Sequence, residues 1–241
     1  MTLESEQFFT KPYYAQWLTW IGSRAVDNEA AKSLDLWIQL ENQAIERLIT
    51  RFRRESGQDT LRVLDIGCGF GRHLLHLLRA DPHISGAGVD ISAPSIGAAT
   101  AEARLYGLGR RATFIVGDAS DLKMLQLGKF DIAICMANTL GNMPTAKQRR
   151  LIRTVSTVLK PSGLILFSVY SVASIASRLE SYRAIGLSVH QRGTQIVAEE
   201  GLVSYSFSSS ELRSLINVSG LSTVGEVDAL GELGWQVVAR N

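Results

Sequence analysis

Cysteine is scarce: Cys68 and Cys135 are the only two in 241 residues. Both sit in apolar or glycine-rich surroundings and neither has metal-ligand spacing. They read as reduced residues of a cytoplasmic protein, not as a disulfide framework or a zinc site. Proline numbers five, so no Pro-rich linker divides the chain, and there is no internal repeat or low-complexity tract. Long apolar runs are absent. The longest, near residues 132–137, falls far below the length of a membrane span. The opening residues, Met1 to Gln7, have no basic start or apolar centre, so no signal peptide is expected. Charge of one sign is also lacking. With 25 basic and 23 acidic residues the formal charge is +2, too balanced for an electrostatic track along nucleic acid. Basic clusters at Arg51, Arg53 and Arg54, at Arg110 and Arg111, and at Lys147, Arg149 and Arg150 read as solvated faces. No G-x-S-x-G turn and no His-Glu-x-x-His occurs, so hydrolase chemistry has no support. His73 and His76, spaced i, i+3, have no third ligand nearby and read as solvated or packing residues.

The chain does have the length and the 46% apolar content of one α/β domain with a sizeable core. Its first sixty residues are helical in pattern and hold three of the four tryptophans, Trp17, Trp20 and Trp37. Leu36, Leu40, Ala44, Leu48 and Phe52 recur at helical spacing, and Gly57 marks the end. Strands and helices then alternate. Strands are expected at residues 61–66, 86–91, 112–116, 130–136 and 164–170, with helices at 72–80, 93–106 and 146–159 between them. That alternation requires parallel strands with helices on both faces. After Tyr170 the pattern loosens. A hairpin around Glu199–Glu200–Gly201, a helix at 210–218 capped by Ser209, and strands near 223–228 and 235–239 complete a seven-stranded sheet.

The run Val63-Leu64-Asp65-Ile66-Gly67-Cys68-Gly69-Phe70-Gly71 takes a buried strand into glycines at every second position and then into a helix. Such glycines let a ligand approach the backbone at the carboxyl end of a strand, and Asp65 can accept from loop amides or from a ligand ammonium. A dinucleotide fingerprint starting at Gly67 needs glycine at position 72, where Arg72 stands, and no Gly-Lys-Ser/Thr phosphate loop follows. The second strand ends at Asp90, about twenty residues on, where a carboxylate can accept both hydroxyls of a ribose. The third ends at Asp118. The fourth runs into Met136-Ala137-Asn138-Thr139-Leu140-Gly141-Asn142-Met143-Pro144, a polar segment where open α/β sheets take ligands.

Together these motifs resemble the class I S-adenosylmethionine (SAM) dependent methyltransferases, in order and spacing, over roughly residues 60–170. The resemblance implies a Rossmann-like sheet of order 3-2-1-4-5-7-6 with only strand 7 antiparallel. It implies SAM as cofactor, held by Asp65, Gly67, Cys68, Gly69 and Gly71 at the glycine turn. Asp90 and Ile91 would take the ribose and adenine, Asp118 and Ala119 the adenine amino group, and Met136 and Ala137 the reacting methionine. The segment after Asn138 lacks the prolines of the Asp/Asn-Pro-Pro-Tyr motif of nucleic-acid amino methyltransferases, so a flipped base is not the expected substrate.

The resulting expectation is a helical cap over residues 1–57 and a methyltransferase domain over 58–241, with a short insert at 171–208. The aromatic-rich start reads either as a docked apolar helix face or as a lid in which Tyr13, Tyr14 and Trp17 meet the substrate. Asn138, Asn142 and Tyr170 are the candidate catalytic residues, and Asn138 and Tyr170 are also candidate substrate contacts. Tyr182, Arg183 and His190, in the insert, are weaker candidates. No metal is expected. The acceptor would be a small molecule, methylated on nitrogen rather than oxygen, by a monomer or homodimer. A non-catalytic SAM-binding module and a protein or RNA methyltransferase are the alternatives.

Overall fold

The computed structural model describes residues 5–10, 29–184 and 186–240. Tyr13, Tyr14, Trp17 and Trp20 lie outside the described residues. The short helix α1 (Ser5–Thr10) precedes the long helix α2 (Glu29–Ser56), which Gly57 ends by adopting φ 69° and donating its N–H to the Arg53 carbonyl. The alternating core follows: β1 (Leu61–Ile66), α3 (Arg72–Ala80), β2 (Ile84–Asp90), α4 (Ala93–Leu105), β3 (Ala112–Val116), β4 (Phe130–Cys135), α5 (Thr145–Val155) and β5 (Leu159–Tyr170). A 3₁₀ segment, Ala119–Leu125, links β3 to β4. Ser92 caps α4 by accepting from the Ser95 N–H, and Pro94 occupies its first turn.

Seven strands form one sheet of order β3-β2-β1-β4-β5-β10-β9. The last two are β9 (Ser222–Leu230) and β10 (Gly234–Arg240), and β10 runs antiparallel to both its neighbours. The expected order, with its single reversed strand, is the observed one. Apolar layers cover both faces. One joins Leu64, Ile66, Phe130, Leu151, Phe167 and Leu212, while the other seats Trp37, Ile45 and Leu48 of α2 against Val63, Leu74 and Ile134. At about 25 cal/mol per Å² of apolar surface, each such buried side chain adds about 1.5–3 kcal/mol. Helix α2 is therefore a structural wall of the domain.

Three local expectations change. Helix α5 stops at Val155, and β5 starts at Leu159, because Lys160 is drawn to the buried Asp131 carboxylate at 2.8 Å and Leu159 pairs with Phe130. Helix α7 (Ser209–Val218) is capped by Ser208, whose hydroxyl accepts from the Glu211 N–H in a capping box, so Ser209 is its first residue. The insert holds an unexpected helix, α6 (Ile175–Ala184), and a three-stranded sheet of β6 (Val189–Arg192), β7 (Gln195–Ala198) and β8 (Val203–Tyr205). The expected hairpin is its β7–β8 half. Phe8 of α1 packs into this insert with Ile175, Tyr182 and Ile196.

The basic clusters also read differently in three dimensions, because each has a bound member. Arg53 pairs with Asp81 at 2.6 Å, Arg111 donates to the carbonyls of Leu78, Asp81 and Ile84, and Lys147 pairs with Asp118 at 2.9 Å.

Candidate functional site: a cleft at the carboxyl ends of the strands

The glycine turn leaves β1 with Gly67, Gly69 and Gly71 all at positive φ. A Cβ on Gly71 would lie 2.7 Å from the Phe114 ring, so only glycine lets α3 start so close to β3. Gly69 differs, since nothing lies within 4 Å of where its Cβ would be. That open space, with a peptide N–H held in place beside it, is a cradle for a ligand. Cys68 turns its side chain inward against Gly88 and Phe114, and burial pushes its thiol well above the ordinary range. It can offer the ligand only backbone.

Asp65 is 1% exposed and has an orphaned carboxylate oxygen, Oδ2. Burial pushes its carboxyl from 3.8 to about 6, against lowering effects from His73 and from the Leu74 amide and with further raising by Asp90 and Glu41. A buried, half-satisfied carboxylate beside an open glycine turn is suited to receive a cationic ligand group. Asp90 ends β2 and accepts from the Gly69 N–H at 2.8 Å and the Ser92 N–H at 2.9 Å. Burial raises its carboxyl as well, with those backbone bonds opposing the rise. Each oxygen accepts one of these bonds and has capacity for another, and Asp90 lines the cleft. Asp118 caps the 3₁₀ segment through the Ser120 N–H at 2.8 Å. Burial raises its carboxyl, but the hydrogen bonds from Lys147 and Ser120 outweigh burial and hold it below its usual value.

Asp90 and Asp118 line one cleft of about 650 Å³, its mouth included, while Asp65 is buried and lies outside its lining. Gly67, Asp90, Ile91, Gly117, Asp118, Ala119 and Ala137 line it. Thr139, Asn142 and Met143, from the segment after β4, line it too, as does Phe9 of α1. Met136 is 2% exposed and packs with the α2 layer, so it faces the core while Ala137 faces the cleft. Of the three acids expected to meet the cofactor, Asp90 and Asp118 face this cleft and Asp65 is buried two residues before Gly67. Among the described residues no group of His, Cys, Asp and Glu is arranged to hold a metal.

The candidates at the rim have partners of their own. Asn138 is fully buried at φ 58°. Its amide donates to Ser204 Oγ at 3.0 Å and to the Tyr205 carbonyl at 3.3 Å, and its Oδ1 accepts from the Tyr170 N–H at 3.0 Å. It thus ties β4, β5 and the insert together behind the cleft, and Asn142 alone of the two lines it. Tyr170 stacks on Trp37, with ring centroids 5.0 Å apart, and burial pushes its phenol up, away from use as a base. Tyr182 is buried on α6, Arg183 reaches the Val189 carbonyl at 3.4 Å, and His190 is exposed on β6.

One important residue escaped sequence reading. Glu41 on α2 is fully buried. One of its oxygens accepts from the Ala137 N–H at 2.7 Å and from the Ser168 hydroxyl, and the other lies 3.1 Å from His73 Nε2. It braces the left-handed pair Ala137 and Asn138, at φ 52° and 58°, conformations that cost a non-glycine residue about 1–3 kcal/mol unless held by their surroundings. The only clue was an acid on the apolar face of a helix, at i+4 from Trp37. His73, read from sequence as solvated or packing, is buried and belongs to this cluster, while His76 sits at the surface 2.9 Å from Glu46.

This sheet order is that of the class I SAM-dependent methyltransferase fold. Residues 63–163 match the family model described as a methyltransferase domain, and the chain carries that domain. Magnesium protoporphyrin IX methyltransferase from Synechocystis PCC 6803, solved with bound S-adenosylhomocysteine (SAH), shares the fold. Its TM-score is 0.66 over 98% of this chain and 97% of that one, at 20% identity. A release factor glutamine methyltransferase of Rhodospirillum rubrum is 29% identical over 68% of this chain and 44% of its own. A ubiquinone biosynthesis O-methyltransferase of Aromatoleum aromaticum is 29% identical over 48% of this chain and 46% of its own. Two tRNA methyltransferases also match, from Drosophila melanogaster and Helicobacter hepaticus. The chain spans less than half the length of these curated relatives.

Proposed function

We propose that this chain transfers a methyl group from SAM to a small-molecule acceptor, with nitrogen the preferred acceptor atom. The observation that carries the reading is the pair of strand-end acids Asp90 and Asp118 lining one cleft with Gly67, together with the buried, half-satisfied Asp65 two residues before that glycine. Asp65 would face the ammonium, Asp90 the ribose hydroxyls and Asp118 the adenine edge. The bound cofactor supplies a methyl group that is already electrophilic on its sulfonium. The protein's part is to hold the acceptor in line and keep water out. Phe9 lines the cleft, and the braced elbow at Ala137 and Asn138 fixes the wall beside the acceptor. The fold's likeness to a methyltransferase named for magnesium protoporphyrin IX supports a small-molecule acceptor.

The choice of nitrogen rests on the rim. Asn138 and Asn142 do not titrate, and burial raises the Tyr170 phenol, so none of them accepts a proton near neutral pH. A neutral amine or acidic N–H attacks without a base, whereas an alcohol usually needs one. We further infer a cytoplasmic enzyme, monomeric or homodimeric, in which the N-terminal segment 1–57 caps the cleft through α1 while α2 serves as a wall of the core. The match to a release factor glutamine methyltransferase supports a second reading, a protein substrate. The test incubates the protein with SAM and a panel of metabolites and peptides and follows SAH release. Metabolite-dependent release is expected. Release only with peptides, or none, overturns the small-molecule reading. With two active acceptors of different pKa, the rate should follow each acceptor's own ionisation. A fixed pKa that disappears on mutating a histidine or tyrosine would point to oxygen.

A further inference from the structure

Arg178 on α6 is 4% exposed, yet no acidic side chain among the described residues pairs with it. Its bonds go to neutral hydroxyls: Nη1 to Ser206 Oγ at 2.9 Å, and Nη2 to Ser204 Oγ at 2.6 Å and Tyr182 Oη at 3.2 Å. The guanidinium lies 3.7 Å from the Tyr170 ring centroid, and Nε has no acceptor. An arginine has five N–H groups and cannot shed its charge, so burial cannot neutralise it as it can a lysine or histidine. Glu41 does not fill the role, since its oxygens are committed to Ala137, Ser168 and His73.

The location matters as much as the missing partner. Ser204 Oγ accepts from both Arg178 and Asn138, and the Asn138 amide stands 3.4 Å from Asn142 Oδ1, which borders the cofactor cleft. Tyr170 under the guanidinium ends β5 on the ligand-binding edge of the sheet. Phe8 packs on the cluster that contains Tyr182, while its neighbour Phe9 lines the cleft. Arg178 thus stands behind the cleft wall, joined to Asn142 through Ser204 and Asn138, and bonded to Tyr182 of the cluster that Phe8 covers.

We propose that Arg178 binds an oxyanion of the methyl acceptor, a carboxylate or a phosphate, as the counter-charge this buried guanidinium lacks. This rests on the methyltransferase reading above and narrows its substrate class to anionic small molecules. The planar fork suits a carboxylate.

The test uses SAH-loaded protein titrated calorimetrically with benzoate, 2-naphthoate and phenyl phosphate, and with benzamide and 2-naphthamide as neutral counterparts. In the wild type the acids should bind at least about tenfold more tightly than the amides. Tighter phenyl phosphate than benzoate would assign a phosphate, and the reverse a carboxylate. R178Q should bring acids and amides level while leaving SAH affinity unchanged. R178K, which keeps charge without the fork, should fall between and covers the case in which R178Q does not fold. Equal binding of acids and amides by the wild type, no binding of any acid, or a preference that survives in R178Q or is undiminished in R178K would overturn the proposal. SAH binding is measured first. Its absence in the wild type would refute the methyltransferase reading itself, and this proposal with it.

Discussion

Replacing Asp65 with Asn separates the stability of this protein from its ligand binding. A carboxyl pushed by burial from 3.8 to about 6 weakens the folded state wherever it is ionised. Below pH 3.8 folded and unfolded chains both hold the proton. Between 3.8 and about 6 the unfolded chain releases it first, so stability falls as pH rises. Above 6 the loss levels off at about 3 kcal/mol. Asn carries no such penalty, but its NH₂ takes the place of the orphaned Oδ2 and returns about 1–3 kcal/mol as an unmet donor. The net gain expected for Asp65→Asn without ligand is about 0–2 kcal/mol at pH 8. The pH dependence is a cleaner measure, because other titrating groups cancel in the difference between the two proteins. Urea unfolding at pH 5 and pH 8 should show the advantage of the variant growing by about 1.4 kcal/mol. SAH affinity should fall about a hundredfold at the same time, through loss of a charged acceptor. Parallel stability profiles for the two proteins would refute the argument, because Asp65 would then not be carrying the burial penalty.

Asp90→Ala should cost about 2–4 kcal/mol of SAM or SAH binding by calorimetry, and neither protein should bind NAD at micromolar levels. Glu41→Ala strands the Ala137 N–H, the Ser168 hydroxyl and His73, and should lower unfolding free energy by about 3–5 kcal/mol. Glu41→Gln can still accept from Ala137 and should lose less in denaturant titration. Phe9→Ala should leave the melting temperature nearly unchanged while raising the SAH dissociation constant several-fold, because Phe9 lines the cleft from outside the sheet.

The core was legible because its information is local. Asp65, Asp90 and Asp118 each follow a buried apolar run, and parallel pairing carries each such run to the same edge of the sheet. Helix α6 was not legible. Its buried residues Ile175, Arg178 and Tyr182 form a sparse face, and one of them is a cation. Glu41 was missed, and the ties that Asn138 makes were not foreseen, for a related reason. Their partners stand 96 and 67 positions away, at Ala137 and Tyr205, and no window along the chain contains both ends. Asn138 looked free because polar residues after strands usually face solvent. Here the left-handed turn at Ala137 and Asn138 folds the amide inward.

That elbow also has consequences for how the chain folds and exchanges. The Ala137 amide is sealed by a carboxylate from α2, and the neighbouring side chain is held by β5 and by the insert. Its hydrogen cannot reach solvent by fraying of one element, because three distant segments would have to part together. In hydrogen–deuterium exchange this amide should follow global unfolding, although it lies at the lip of a cleft where loop amides ordinarily exchange within seconds. During refolding its protection should arise only after these long-range contacts close, well after the local helices have formed.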